Sequence, residues 1–312
     1  MEIKSHRVAA TVFYILLTLL LPTILTLSTV NEPAVVNLNS ANPTPLGYTV
    51  SLSLFVFPML VISWWFLRRP GVPFKKTAFW RTTFFLVPVG VILDLLFGNS
   101  FFEFGNHNAV LGLTFPALGG PLPVEELVFY ITGFIVILLI YIWCDEYWLS
   151  LYNVPDYEKE VHTVDRILRF HPRSLLVGGI LIVAAIIYKK FLATNPEGFP
   201  WYFIYLVVVS MIPSSAFYDS VRPFINWRAF SFTMFIVVLI SLIWEVTLAL
   251  PYQWWDFQAS AMMGVHIKAW YQLPLEEPFL WIAVSYTTVI IFEVMKIWLA
   301  SRKPFKQAFT GL

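Results

Sequence analysis

Apolar residues along the chain fall in long blocks, and the polar residues gather in the gaps between them. A helix that crosses a bilayer needs about 20 consecutive, mostly apolar residues. Eight windows meet that length: Val8–Val30, Leu46–Leu67, Ala78–Phe97, Val124–Trp148, Ser174–Leu192, Trp201–Tyr218, Trp227–Leu250 and Leu275–Leu299. Lys4 and Arg7 precede the first window, as in a signal peptide. Its apolar core is longer than the usual signal core and no A-x-A site follows, so a retained helix is expected.

The pattern also repeats. Pro-Val-Glu-Glu at 123–126 returns as Pro-Leu-Glu-Glu at 274–277, 151 residues later. Asp94 precedes Glu125 by the same 31 residues that separate Glu245 from Glu276. Windows two to four, moved by 151, fall on windows six to eight, while the first matches the fifth only loosely. Gly112 and Gly264 precede the two Glu-Glu motifs, with one extra residue in the first copy. The expected fold is therefore an all-α polytopic membrane protein of about eight transmembrane helices in two four-helix repeats. Residues 1–150 form the first half, 151–173 a polar linker and 174–312 the second half. Four spans per half is an even number, so the repeats share one orientation, unlike inverted-repeat transporters.

Charge adds the orientation. With eight spans, both termini lie on one face, and that face carries 16 of the 20 Lys and Arg, counting Arg81 at a helix start. Lys296 lies inside the last window near the same face. The other face has only Lys189, Lys190 and Lys268. The positive-inside rule then expects an integral protein of the cell (inner) membrane with both termini cytoplasmic. Composition agrees: 58% hydrophobic and 12% charged, against roughly 25% charged in soluble domains. A net charge of +1 offers no basic field for nucleic acid. One cysteine, Cys144, allows no internal disulfide.

The candidate chemistry is six carboxyls at one depth. Asp94 and Glu245 lie near the ends of the third and seventh windows. Glu125, Glu126, Glu276 and Glu277 occupy the first turns of the fourth and eighth. First-turn acids favour the helix dipole, and Pro123 and Pro274 suit helix starts, so capping explains part of the pattern. Capping does not explain acids at the ends of the preceding helices. Nor does it explain the aromatic neighbours: Trp244 beside Glu245, Phe129 and Tyr130 at i+4 from Glu125 and Glu126, and Trp281 at i+4 from Glu277. Glu276 has Leu280 at that spacing. A carboxyl among apolar walls can keep its proton near neutrality. Such an acid can protonate an isolated alkene, aromatic faces stabilise the carbocation, and a second carboxylate can remove a proton.

Pro123-Val-Glu-Glu-Leu-Val-Phe-Tyr130 resembles the P-x-E-E-x-x-F-[FY] signature of the membrane-integral lycopene cyclases, the bacterial heterodimeric, archaeal fused and fungal bifunctional types. Pro274-Leu-Glu-Glu277 is similar to the motif of the family's second half, although Leu280 and Trp281 stand at its Phe-Phe positions. The resemblance is strongest over residues 78–150 and 227–300. It implies a carotenoid-biosynthesis enzyme, an intramolecular lyase or isomerase, that closes the linear ψ-ends of lycopene to β-ionone rings. It implies no flavin or other cofactor, and a lipid-soluble substrate taken from the membrane. The expected catalytic residues are Glu125, Glu126, Glu276, Glu277, Asp94 and Glu245, with Glu126 or Glu277 as acid and Asp94 and Glu245 orienting it or accepting protons. Phe129, Tyr130, Trp244 and Trp281 are the expected substrate-binding residues.

Other chemistries lack their motifs. There is no G-x-G-x-x-G or Walker loop, no D-D-x-x-D run, and no histidine spacing for a di-iron site. Loop residues His107 and His266 lie near the acids, and no metal is expected there. A CAAX-type protease would need Arg where Tyr130 and Trp281 stand. The alternatives are a carotenoid hydratase or another terpene cyclase, which share alkene protonation, and a proton-coupled transporter. Asn106, His107, Trp255, Asp256 and Gln258 lie in paired loops where they could close the site or sit at the interface.

Overall fold

The computed structural model describes residues 44–68, 75–154, 157–170 and 172–312. The expected helix Val8–Val30 lies outside the described residues. Among those residues seven helices are long and apolar enough to cross a membrane: α1 Gly47–Arg68, α2 Lys76–Phe101, α3 Val124–Trp148, α4 Pro172–Leu192, α5 Trp201–Val221, α6 Trp227–Ala249 and α7 Glu276–Ser301. They match windows two to eight. Their outer faces are apolar and uncovered, with Leu54, Phe57 and Phe84 each at least 70% exposed. A water-soluble surface does not carry large apolar patches of this kind, so these faces suit lipid.

The helix at the centre is α7. Two thirds of its apolar window is buried (67%), against 17% for α4. It packs against α2, α3, α5 and α6. On the outside, α4 leans on α5, where a Cβ at Gly178 would meet the Ile212 side chain at 2.7 Å. Pro58, Pro88 and Pro213 lie inside α1, α2 and α5, and each helix runs on through its proline. In α5 the turn before Pro213 widens to a π turn over Leu206–Met211. Such widening accommodates the donor a proline cannot supply.

The 151–173 segment is packed rather than loose. A short helix, Tyr157–Val161, buries Val161. Ile167 and Leu168 N–H groups donate to the Ala308 and Phe309 carbonyls, which tie the segment to the C-terminal helix Phe305–Thr310.

The loops at the acid-bearing ends are built alike. After α2 come β1 (Phe102–Glu103) and the hairpin β2 (Thr114–Ala117) and β3 (Gly120–Pro123). After α6 come β4 (Asp256–Phe257) and the short pair β5 (His266–Ile267) and β6 (Leu273–Pro274). Antiparallel pairing of β1 with β4 joins the two loops. The Gln258 N–H donates to the Phe101 carbonyl at 2.9 Å, and Asn106 Nδ2 to the Tyr252 carbonyl at 2.9 Å.

Candidate active site

All six predicted acids are buried, from 0% exposed for Glu276 to 6% for Glu126. The structure divides five of them into two groups and sets Asp94 apart. Glu125 and Glu276 turn toward the loops. Glu125 Oε1 accepts from the Leu111 N–H at 2.8 Å and from Thr49 Oγ1 at 2.5 Å. Glu276 Oε1 accepts from the Met263 N–H at 2.5 Å. Each donor immediately precedes a left-handed glycine, Gly112 (φ +77) or Gly264 (φ +93). That conformation suits glycine, and the turn it makes brings the preceding stretch of backbone onto the carboxylate.

Glu126, Glu245 and Glu277 face one another across a small cavity of about 20 Å³. Tyr130, Phe129 and Trp255 line it with Tyr48, Phe102, Phe104 and Leu280, so Trp255 of the paired loops belongs to the site. Two of these three acids have a tyrosine partner and the third a tryptophan. Tyr48 in α1 donates to Glu126 Oε2 at 3.0 Å, and Tyr202 in α5 donates to Glu277 Oε1 at 3.0 Å. Trp281 Nε1 donates to Glu245 Oε1 at 3.0 Å. Trp244 Nε1 donates to Ser51 Oγ rather than to an acid. Tyr48 and Tyr202 were not among the predicted site residues. Both stand at the start of an apolar helix, where a tyrosine reads as an ordinary interfacial residue. The signal for them was their similar position, within the first turn of windows two and six.

Asp94 is 3% exposed, and neither of its oxygens has a hydrogen bond of full geometry; the Tyr130 side chain is its polar neighbour. Buried polar atoms are nearly always satisfied in folded proteins, and Asp94 is the one carboxyl among the described residues with both oxygens buried and short of that. Gly98, one turn on, lets the carboxyl lie flat: a Cβ there would stand 2.7 Å from Asp94 Oδ1. Glu245 is placed differently. It opens a π turn, Glu245–Ala249, and the buried Ala249 holds the position corresponding to Gly98.

Two apolar grooves run from this level into the bundle. One, about 80 Å³, lies between α1, α3 and α6, beneath Phe129, Trp244 and Trp281. The other, about 100 Å³, lies between α2, α5 and α7 and has Asp94 and Tyr130 in its wall. His107 and His266 are both exposed, outside these cavities. Asp256 pairs with Glu103 in the short sheet.

No family model, no curated protein and no solved structure matches the chain.

Proposed function

We propose that the protein is a membrane enzyme that cyclises the ψ-ends of lycopene to β-ionone rings by acid–base chemistry without a cofactor. The observation that carries this reading is the meeting of Glu126, Glu245 and Glu277 in one aromatic-walled cavity, with apolar grooves beside it. The Pro-x-Glu-Glu motifs add the family resemblance. In the reaction, a carboxylic acid, Glu126 or Glu277, transfers its proton to C2 of the terminal C1–C2 double bond. The tertiary cation left at C1 is attacked by the C5–C6 double bond, which forms the C1–C6 bond and moves the charge to C5. A carboxylate, Asp94 or Glu245, then takes the proton from C6. The electron pair of that bond restores C5–C6 as a double bond, so the product is an isomer and no redox step occurs. Tyr48 and Tyr202 hold the acids in position, and the ring face of Tyr130, common to the acid cavity and the groove that holds Asp94, stabilises the cation.

The same proposal includes two parallel four-helix halves with both termini cytoplasmic. Contacts one repeat apart support it. Tyr48 to Glu126 pairs with Tyr202 to Glu277, and Leu111 to Glu125 pairs with Met263 to Glu276. The Val124 N–H to Leu113 carbonyl bond pairs with Leu275 to Val265, both at 2.9 Å.

The test is expression in a lycopene-accumulating bacterial host, with pigments separated by chromatography. Conversion to γ- or β-carotene supports the cyclase. Unchanged lycopene, with the protein present in the membrane, rejects it; hydrated products would favour a hydratase. The Gly98→Ala variant is expected to displace the Asp94 carboxyl and slow conversion by roughly tenfold, the equivalent of about 1.4 kcal/mol. An unchanged rate would remove Asp94 from the reaction.

A further inference from the structure

The two grooves occupy corresponding places. Leu52 in the α1–α3–α6 groove and Leu206 in the α2–α5–α7 groove line matching positions, as do Gly133 and Val284, and Ile240 and Val89. Both open sideways at the same point, where Ile240 is 42% and Val89 41% exposed. An apolar molecule dissolved in the bilayer could reach either one without crossing water.

They differ at the acid-bearing end. In the α1–α3–α6 groove three large rings close it. Phe129 stacks on Trp244 with centroids 5.6 Å apart, and meets Trp281 edge-on at 5.6 Å. Trp281 is fixed by its bond to Glu245, and Trp244 by its bond to Ser51. No carboxyl lines this groove. The corresponding residues of the other groove are Leu280, Leu93 and Tyr130. Two leucines replace two of the rings, and this groove stays open as far as Asp94, whose buried carboxyl stands in the wall beside Tyr130; beyond it Phe97, Phe101 and Tyr205 pack ring on ring, with Phe101 and Tyr205 centroids 5.0 Å apart. The wall continues past Asp94 along α2 to Phe101, about 10 Å further at 1.5 Å per residue. It ends at Tyr202, which holds Glu277.

We infer that the chain has one working site, not two: the substrate end enters through the α2–α5–α7 groove and reacts between Asp94 and the acid cavity, which shares Phe102, Tyr130 and Leu280 with that groove, while the α1–α3–α6 groove, with no carboxyl in its wall, is plugged by Phe129, Trp244 and Trp281. The inference rests on the proposed lycopene reaction for its occupant. This groove suits a slender apolar chain with reactive carbons at its tip, and the rings beyond Asp94 stop it at the carboxyl. Both halves contribute to this one site, because Asp94 and Tyr130 come from the first and Leu280 and Tyr202 from the second. A rod-shaped polyene places one end at a time beside Asp94. Its second end reacts only after release and rebinding, so the one-ring product is a free intermediate.

A matched pair of variants tests this. Val284→Phe fills the open groove, and Gly133→Phe fills the plugged one at the corresponding position. A Cβ at Gly133 is 3.8 Å from its nearest neighbour, Trp281 Cζ3, so the backbone tolerates it. Leu280→Phe copies the plug into the open groove and serves as a second variant if Val284→Phe does not accumulate. Full-length proteins are expressed in the lycopene-accumulating host, checked for monodispersity, and read for turnover and for lycopene retained through purification. Val284→Phe or Leu280→Phe is expected to lose at least about a hundredfold in turnover together with the bound pigment. Gly133→Phe is expected to stay within about threefold of the unaltered protein. Loss in Gly133→Phe, alone or equal to that in Val284→Phe, overturns the single-groove assignment. The functional reading fails separately: unaltered protein that retains lycopene but does not convert it rejects the cyclase, and pigment retention in the variants still decides which groove is used. Unaltered protein that neither converts nor retains lycopene overturns both.

Discussion

Glu126→Gln is expected to lower lycopene conversion about a thousand-fold, while Glu125→Gln, one residue earlier, stays within about tenfold of the unaltered protein. The two side chains differ by only 100° around α3, yet their surroundings are unlike. Glu126 lines the cavity it shares with Glu245 and Glu277, and its one hydrogen bond comes from Tyr48. A glutamine there keeps an acceptor for Tyr48 but has no proton to give. Removal of a general acid costs 10² to 10⁴ in rate, so a thousand-fold is about 4 kcal/mol of barrier. Glu125 points at the Leu111 amide and Thr49. An amide oxygen accepts from both, so the loop stays attached. The measurement is the initial rate of ring formation in membranes with matched protein content. Equal losses at both positions would mean that the pair acts through the helix terminus and not as an acid. Full activity in Glu126→Gln would exclude it as the proton donor.

This contrast also marks where sequence reasoning stopped. Apolar window length located seven spans to within a few residues, because a helix in hydrocarbon must satisfy its backbone internally and stay apolar over a fixed length. The repeated Pro-x-Glu-Glu identified the right pair of helix starts. It did not say which Glu of each pair looks inward, since that depends on how each helix is rotated against its neighbours. Partners from other helices were equally hidden. Tyr48 and Tyr202 lie 78 and 75 residues from the carboxylates they hold, and nothing local marks a tyrosine in an apolar run as a ligand of a distant acid. Trp281 was expected to serve its i+4 neighbour Glu277, and instead bonds Glu245 on another helix. The closed and open grooves differ by ring against leucine at corresponding positions. In sequence both are simply apolar.

The opposite end of the bundle holds the other large effect. Lys296→Met is expected to destabilise the folded protein by about 3–5 kcal/mol, the cost of breaking a buried ion pair by removing one partner. Lys296 Nζ lies 2.9 Å from Glu293 and 3.0 Å from Asp145, with Glu146 at 3.6 Å. Lys296, Asp145 and Glu293 are all at most 4% exposed. Tyr141 and Tyr157 donate to the two oxygens of Glu293 at 3.0 and 3.3 Å. Asp145 and Lys296 are 151 residues apart, the spacing of the two Glu-Glu motifs, so one position carries an acid on α3 and a base on α7 and pins the two helices together. Methionine fills much the same volume as the lysine stem, and what is lost is the charge. Asp145 and Glu293 would then face each other in a dry site without a cation. Thermal unfolding in detergent should show a large fall in midpoint for Lys296→Met. The triple variant Lys296→Met, Asp145→Asn, Glu293→Gln should recover most of it, because the two fully buried carboxylates are neutralised and only Glu146, partly exposed at the edge of the network, keeps its acid. A triple variant as unstable as the single one would assign the effect to side-chain packing and not to buried charge. The acid cavity lies at the other end of α3 and α7, so the triple variant should also keep its lycopene conversion; loss of conversion at full stability would tie the ion network to the chemistry.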